Sequence, residues 1–398
     1  MKQIENIFRT FCVVLALLFL PLGSHAVAAE ASAADSIEIG LVTCTPHEEI
    51  YSLYGHTALR YHDLRTGEDL VFNYGVFNYQ QPFFVLRFVF GKTDYELGIA
   101  SFKGFCEYYR EWGSQVTEQL LDLRPEEKRN IALALEINWR PENRIYRYNF
   151  FYDNCATRPR DIIERNVLGR VVYQPRFDYT PSYRDMIHQH TLLHPWAAFG
   201  NDLLLGVKSD RKTTQREQHF LPENLQYDFD RAQIVAPDGT TRQLVKERRV
   251  IVEAGVQFVE TGFPIDPLPC FLLLLGVSLA IAAYEWRRRQ TLRWWDALLM
   301  LATGLVGCMI TVMFFSEHPT TSTNLQVLLF NPLPLFFIRK VLRRHPTRYW
   351  NLSFVCIVLF LLGSLLQDYA EGMEILALCL LSRVIVNKMK FNTKPVRK

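Results

Sequence analysis

The second half of this chain is too apolar to fold exposed to water. From Pro264 onward, residues 268–283, 297–315, 325–338, 352–366 and 375–386 are apolar stretches divided by short polar segments. Stretches of this kind become helices in a bilayer, because the hydrocarbon core offers no partner for an unpaired backbone N–H or C=O. The separators alternate in character. Arg287-Arg288-Arg289 through Arg293 and Arg339-Lys340 through Arg348 are basic, whereas 316–324 and 367–374 are not. Five spans with both basic separators, and the tail after Lys388, on the cytoplasmic side satisfy the positive-inside rule. The third stretch is interrupted by Asn331-Pro332-Leu333-Pro334, which reads as a broken span whose irregular backbone lines a cavity or meets protein. The outer loop holding Glu317 and His318, together with Asn331 in the break, then lies beneath whatever precedes the membrane. Those residues are expected either to touch substrate there or to be ordinary interfacial loop residues.

The start of the chain agrees with this orientation. Lys2 and Arg9 flank a polar head, residues 11–20 are a compact apolar run, and small residues around Ala26 to Ala29 suit cleavage. Residues 1–29 therefore read as a secretory signal and not as a span, which needs about 20 apolar residues. The remainder divides into an exported domain over 30–230, a hairpin and linker over 231–263, an all-α transmembrane domain of five helices over 264–390, and a cytoplasmic tail over 391–398. The net charge of +3 over 398 residues is too small to imply nucleic acid. Of eight cysteines, Cys44, Cys106 and Cys155 fall in the exported domain. A Cys44–Cys106 disulfide with Cys155 free, and three unpaired thiols, both remain open. No ligand spacing points to a metal, and no cofactor is expected.

Within 30–230 the pattern is mixed. Residues 41–44, 57–62 and 70–74 read as strands, the last two joined by a turn around Arg65 to Glu68. Pro125 opens a helix that ends before Pro141. Residues 149–152 read as extended, and a helix closing at Gly169 follows Cys155. The stretch 231–254 reads as a hairpin turning at Pro237-Asp238-Gly239 and returning through Val250 to Val252. The aromatic run from Tyr74 to Phe90 reads as core, with an acyl-groove cover or an interfacial contact as the alternative. The fold class is α+β.

Two residues carry chemistry. His56 lies in Tyr54-Gly55-His56-Thr57-Ala58, in a strand where Ala58, Arg60 and His62 share its face. Cys155 lies in Asp153-Asn154-Cys155-Ala156-Thr157-Arg158-Pro159, at a helix start where backbone N–H groups favour a thiolate and Pro159 fits the first turn. A thiol near an imidazole is a nucleophile with its base. Taken singly, each residue is as readily structural.

These motifs, with Phe72-Asn73-Tyr74-Gly75, Pro141-Glu142-Asn143-Arg144, Gly200-Asn201-Asp202, Phe220-Leu221-Pro222, Glu317-His318-Pro319 and Asn331-Pro332-Leu333, resemble the lipoprotein N-acyltransferase family of Bacteroidota called Lnb. The resemblance runs over nearly the whole mature chain, and the block from Asp153 to Asp161 is its most specific element. It implies an exported domain with a circularly permuted, NlpC-type papain-like fold, His56 as base and Cys155 as nucleophile. Asp63 and Asn73 are both candidates for the orienting residue. Asn154 and Arg158 are candidates for oxyanion or phosphate contacts, against a plain capping role, and Tyr74 for substrate contact. The implied reaction moves a fatty acyl group from a phospholipid or diacylglyceryl donor, through a Cys155 thioester, to the α-amine of a lipoprotein's N-terminal cysteine at the bacterial inner membrane. A membrane-tethered cysteine peptidase or amidase on the same residues is the alternative, and a non-enzymatic envelope scaffold is the third reading.

Overall fold

The computed structural model describes residues 36–389, apart from 48, 50, 51, 78–81, 84–86, 88, 89 and 258–261. The expected signal, the tail and part of the aromatic run therefore lie outside the described residues.

The first half is built on a seven-stranded, wholly antiparallel sheet. Its strands are β1 (Ile37–Cys44), β2 (His56–Asp63), β3 (Glu68–Val76), β4 (Asp94–Ser101), β5 (Val116–Leu121), β6 (Ile145–Arg147) and β10 (Val245–Val252), in the spatial order β10-β5-β1-β2-β3-β4-β6. β1 and β5 are buried almost from end to end, because both faces of the sheet are covered. On one face, helix α1 (Phe102–Glu111) packs Phe105, Cys106 and Tyr109 onto Val42, Ala58 and Val71. On the other, α2 (Pro125–Trp139), α3 (Thr157–Asn166) and α7 (Pro222–Arg231) pack Ile131, Ile163 and Phe229 onto Leu41, Leu59 and Phe72. Each such side chain contributes about 1.5–3 kcal/mol by leaving water. Between α3 and α7 come β7 (Arg170–Val172), α4 (Tyr183–Thr191), α5 (Pro195–Leu204) and the short α6 (Gln215–Gln218).

Three expectations change. The expected hairpin over 231–254 is split: β8 (Gln233–Val235) turns into β9 (Thr241–Gln243) in a small sheet with β7, whereas β10 crosses to the edge of the large sheet beside β5. The buried Leu244, whose N–H bonds Ala232 and whose carbonyl accepts from Asp122, is the crossing point. Residues 149–152 are a tight turn closed by an Asn149–Asp153 bridge, not an extended segment. In the aromatic run, Tyr74 is core and Phe77 half-buried, but Phe83 is 77% exposed.

The second half is a helical bundle of α8 (Pro267–Arg288), α9 (Arg293–Met313), a 3-10 turn (Leu325–Leu328) leading into α10 (Leu333–Leu342), α11 (Tyr349–Gly363) and α12 (Met373–Lys388). Three segments, Pro267–Arg288, Arg293–Met313 and Leu325–Leu342, are long and apolar enough to cross a membrane, and α11 is a shorter apolar helix. The third is broken where expected. Asn331 bridges the break, its amide donating to the Leu328 carbonyl and accepting from the Leu333 N–H, and a Cβ on Gly307 of α9 would fall 2.3 Å from its backbone. The two basic separators meet at one end, where Arg293 donates to the Leu342 carbonyl.

The α/β domain sits on the other end. The Thr320 and Thr323 carbonyls accept from Gly206 and Val207, the Phe90 carbonyl accepts from Glu317, and the side chains of Asn324, Gln326 and Gln367 donate to the Leu203, Asp202 and Leu205 carbonyls. The strand ends turned toward the bundle are those of Cys44, His56, Val76, Asp94 and Val252, and the next helix, α8, begins shortly after Val252.

Candidate active site

His56 is the first residue of β2, placed there by Gly55, whose φ of +72° turns the chain into the strand. A Cβ at Gly55 would come within 2.7 Å of the Cys44 carbonyl oxygen, so the turn needs glycine on both counts. Cys155 approaches from below the sheet, one residue ahead of the Ala156 N-cap of α3. Gly75, at φ +95°, makes room for it: a Cβ there would sit 3.7 Å from the Cys155 Cβ.

The two side chains meet. Cys155 is buried and hydrogen-bonded to His56. The imidazole Nε2 lies 2.6 Å from the Asn73 Oδ1, which leaves Nδ1 for the sulfur. Asn73 and His56 point from the same face of the sheet, in adjacent strands. Burial alone would push the Cys155 thiol up. The opposite charge of His56, its hydrogen bond and the backbone N–H groups of Thr57 and Cys155 outweigh burial and hold the thiol below its ordinary 9.0. Burial likewise would lower His56, but the Cys155 charge and the hydrogen bonds to Cys155 and Asn73 raise it above 6.5. Both directions describe a thiolate beside an imidazolium.

The remaining expected residues divide. Asp63 is at the opposite end of β2, about 23 Å away at strand spacing. There its carboxylate accepts from Ser36 and from the N–H groups of Arg65 and Thr66, closing the turn into β3. It is a turn residue, and of the two orienting candidates only Asn73 reaches the imidazole. Asn154 is fully occupied: its Oδ1 accepts from the N–H groups of Ala156 and Thr157, and its Nδ2 donates to the Phe150 and Phe220 carbonyls. The helix-start donors expected to serve the thiol are thereby used by the cap, and strand β2 supplies the Thr57 N–H in their place. Arg158 makes a two-point ion pair with Asp153 at 2.6 and 2.8 Å and lies 3.5 Å over the Tyr146 ring. Tyr74 is buried in the core beside Tyr146.

Glu317 pairs with Arg147 at 2.9 Å and with Lys92 at 3.8 Å, and with His318 it packs against Gly91, so both lie in the seam between domain and bundle. Asn331 is inside the bundle, closing the helix break.

Residues the sequence did not single out surround the imidazole. Tyr109 of α1 stacks toward His56, with centroids 6.3 Å apart and planes at 16°, and its hydroxyl hydrogen-bonds the Cys44 thiol. His47 lies against Trp112 at 4.7 Å and is held below its ordinary value by burial and by the charge of His56. The periodicity of Phe102, Phe105, Cys106 and Tyr109 marks the buried face of α1 and was the available signal. Cys44, Cys106 and Cys155 are all free thiols. Among the described residues, no group of three or more His, Cys, Asp or Glu is placed to hold a metal ion.

Two family models match the chain. One, the Lnb N-terminal periplasmic domain, covers residues 25–189 and so contains His56, Asn73 and Cys155. The other, the Lnb transmembrane domain, covers 259–394. No curated protein and no solved structure matches. With a periplasmic domain and a transmembrane domain of one family in sequence along it, the chain belongs to the Lnb family.

Proposed function

We propose that this chain is a lipoprotein N-acyltransferase of the bacterial inner membrane, acting through a Cys155–His56–Asn73 triad. Lnb-family domains point to a membrane enzyme of lipoprotein maturation. The observation that carries the finer reading is the hydrogen-bonded Cys155–His56 pair, oriented by Asn73, on the sheet end that faces the membrane bundle. Thiol, imidazole and amide in this order are the arrangement of papain-like enzymes, which supports a permuted papain-like fold with His ahead of Cys in the chain.

In the first half-reaction, the Cys155 thiolate adds to an ester carbonyl of a phospholipid or diacylglyceryl donor. The C–O bond then breaks, the His56 imidazolium gives its proton to the leaving alkoxide, and an acyl thioester remains on Cys155. In the second, the α-amine of a lipoprotein's N-terminal cysteine adds to the thioester and loses a proton to neutral His56. The thiolate leaves and an amide is formed. The Cys155 N–H is a backbone donor at the site of the developing oxyanion.

The test is mass spectrometry of lipoprotein N-termini in cells that depend on this chain for acylation. Cys155→Ala and His56→Ala abolish N-acylation while the protein remains folded and inserted. With labelled donor and no acceptor, wild type accumulates a hydroxylamine-labile acyl group on Cys155. Full acylation in either variant would remove the mechanism, and lipoprotein N-termini unchanged by the chain, with cleavage of envelope peptides instead, would replace transfer by hydrolysis on the same residues.

A further inference from the structure

Two adjacent leucines stand out on the α/β domain. Leu192 and Leu193, in the elbow between α4 and α5, are 76% and 73% exposed. A domain surface seldom leaves neighbouring large aliphatic side chains in water without an occupant for them.

The position of the elbow says what that occupant is. One turn further on, the Trp196 indole N–H donates to the Ile265 carbonyl at 2.8 Å, and its ring meets Phe263 at 5.9 Å. Both partners lie just ahead of Pro267, where α8 starts, and both are themselves exposed. Helix α5 then runs into the bundle: Phe199 meets Phe271 of α8 at 5.6 Å, and Leu203 is buried in the bundle core. α5 therefore lies at the depth where α8 enters the bilayer, with a tryptophan at the level that aromatic side chains favour. Exposed apolar side chains of α8, Leu268, Leu272 and Leu273 among them, follow these contacts along the helix.

The two helices that flank the elbow hold the turn leading into β2. His190 bonds the Leu53 carbonyl and packs on Tyr54, and Asn201 donates to the Tyr54 hydroxyl at 2.9 Å. Tyr54 is two residues ahead of His56.

We propose that the Leu192–Leu193 elbow is a wedge that dips into the outer leaflet of the bilayer and contacts phospholipid acyl chains beside the entrance to the Cys155 site. An amphipathic element of this kind holds a domain at headgroup level by burying apolar side chains among acyl chains. The lipid contact stands on the geometry alone; the expectation for turnover rests also on the acyl-transfer reading.

The test uses the full chain in vesicles of phosphatidylethanolamine and phosphatidylglycerol, with a photoreactive phenylalanine analogue at position 193. The control is the same analogue at Leu64, which is 56% exposed at the far end of β2. Phospholipid adducts at 193 and not at 64 are expected. No lipid adduct at 193, equal yields at both positions, or adducts to protein alone would overturn the wedge. A second arm compares donors: Leu192→Ser with Leu193→Ser lowers turnover of vesicle-borne phospholipid tenfold or more and leaves a short, water-soluble ester donor unaffected. Unchanged turnover of the vesicle-borne donor would overturn it as well. A wild-type protein inactive on every donor would remove the acyl-transfer reading, and the adducts would still decide the wedge.

Discussion

Asn73 determines how the His56 ring is presented. By accepting from Nε2 it fixes the tautomer and leaves Nδ1 toward the sulfur. A hydrogen bond to a charged ring is worth about 1.5–3 kcal/mol, so Asn73→Ala is expected to lower kcat about 10- to 100-fold in a steady-state acyl-transfer assay. The pH profile separates this from loss of structure. The thiolate is lost as pH falls through the depressed Cys155 pKa, and the imidazolium is lost as pH rises through the raised His56 pKa. Wild type therefore gives a bell-shaped profile whose two limbs belong to the coupled pair. Because the Asn73 bond is one of the causes raising His56, Asn73→Ala moves the alkaline limb to lower pH. At this scale the sequence singled out two side chains that the fold brings together, and was blind to direction. His56 and Cys155 are legible from their motifs, whereas Asp63 and Asn73 are equally placed until strand register shows that one is beside the imidazole and the other a strand-length away.

At the scale of elements, Cys155 is held by a turn in which both arms of the Asn154 amide are used. The Asn154 side chain caps α3 and also ties the Phe150 and Phe220 carbonyls together. Asn154→Ala removes a cap worth about 1 kcal/mol and leaves two buried carbonyls without a donor, so a loss of about 2–4 kcal/mol is expected in denaturant unfolding. Asn154→Asp keeps the accepting arm and loses the donating one, and should fall between the two. Element identity was readable where a local signal exists, as with Pro125 at the start of α2. It was not readable at β10. Between Gln243 and Val252 no Gly or Pro marks a boundary, and only the docking of Leu244 into the core shows that the chain changes sheets there.

Over the whole molecule, two polar networks behave differently. Arg383 of α12 is buried in the bundle, with Glu285 of α8 at 2.7 and 2.8 Å and Asp296 of α9 at 2.7 Å. Arg383→Met would strand two buried carboxylates and is expected to destabilise the bundle by about 3–5 kcal/mol, read as a fall in the melting temperature in detergent. Glu317→Gln breaks pairs with Arg147 and Lys92 that are about half exposed, and should change stability by less than about 1 kcal/mol. Hydropathy marks the helices of the bundle well. It does not show which loop amides grip the domain above, because Asn324, Gln326 and Gln367 differ from ordinary loop residues only in what they meet.

Those three amides hold main-chain carbonyls of the domain, and Arg184 braces the same corner through Asp202 and Asp210. A domain fastened in this way has little freedom to rise or tilt. Under the acyl-transfer proposal the Cys155 sulfur then stays at one height along the membrane normal, so a candidate donor would be sorted first by how deep its scissile bond lies and only afterwards by the chemistry of its head.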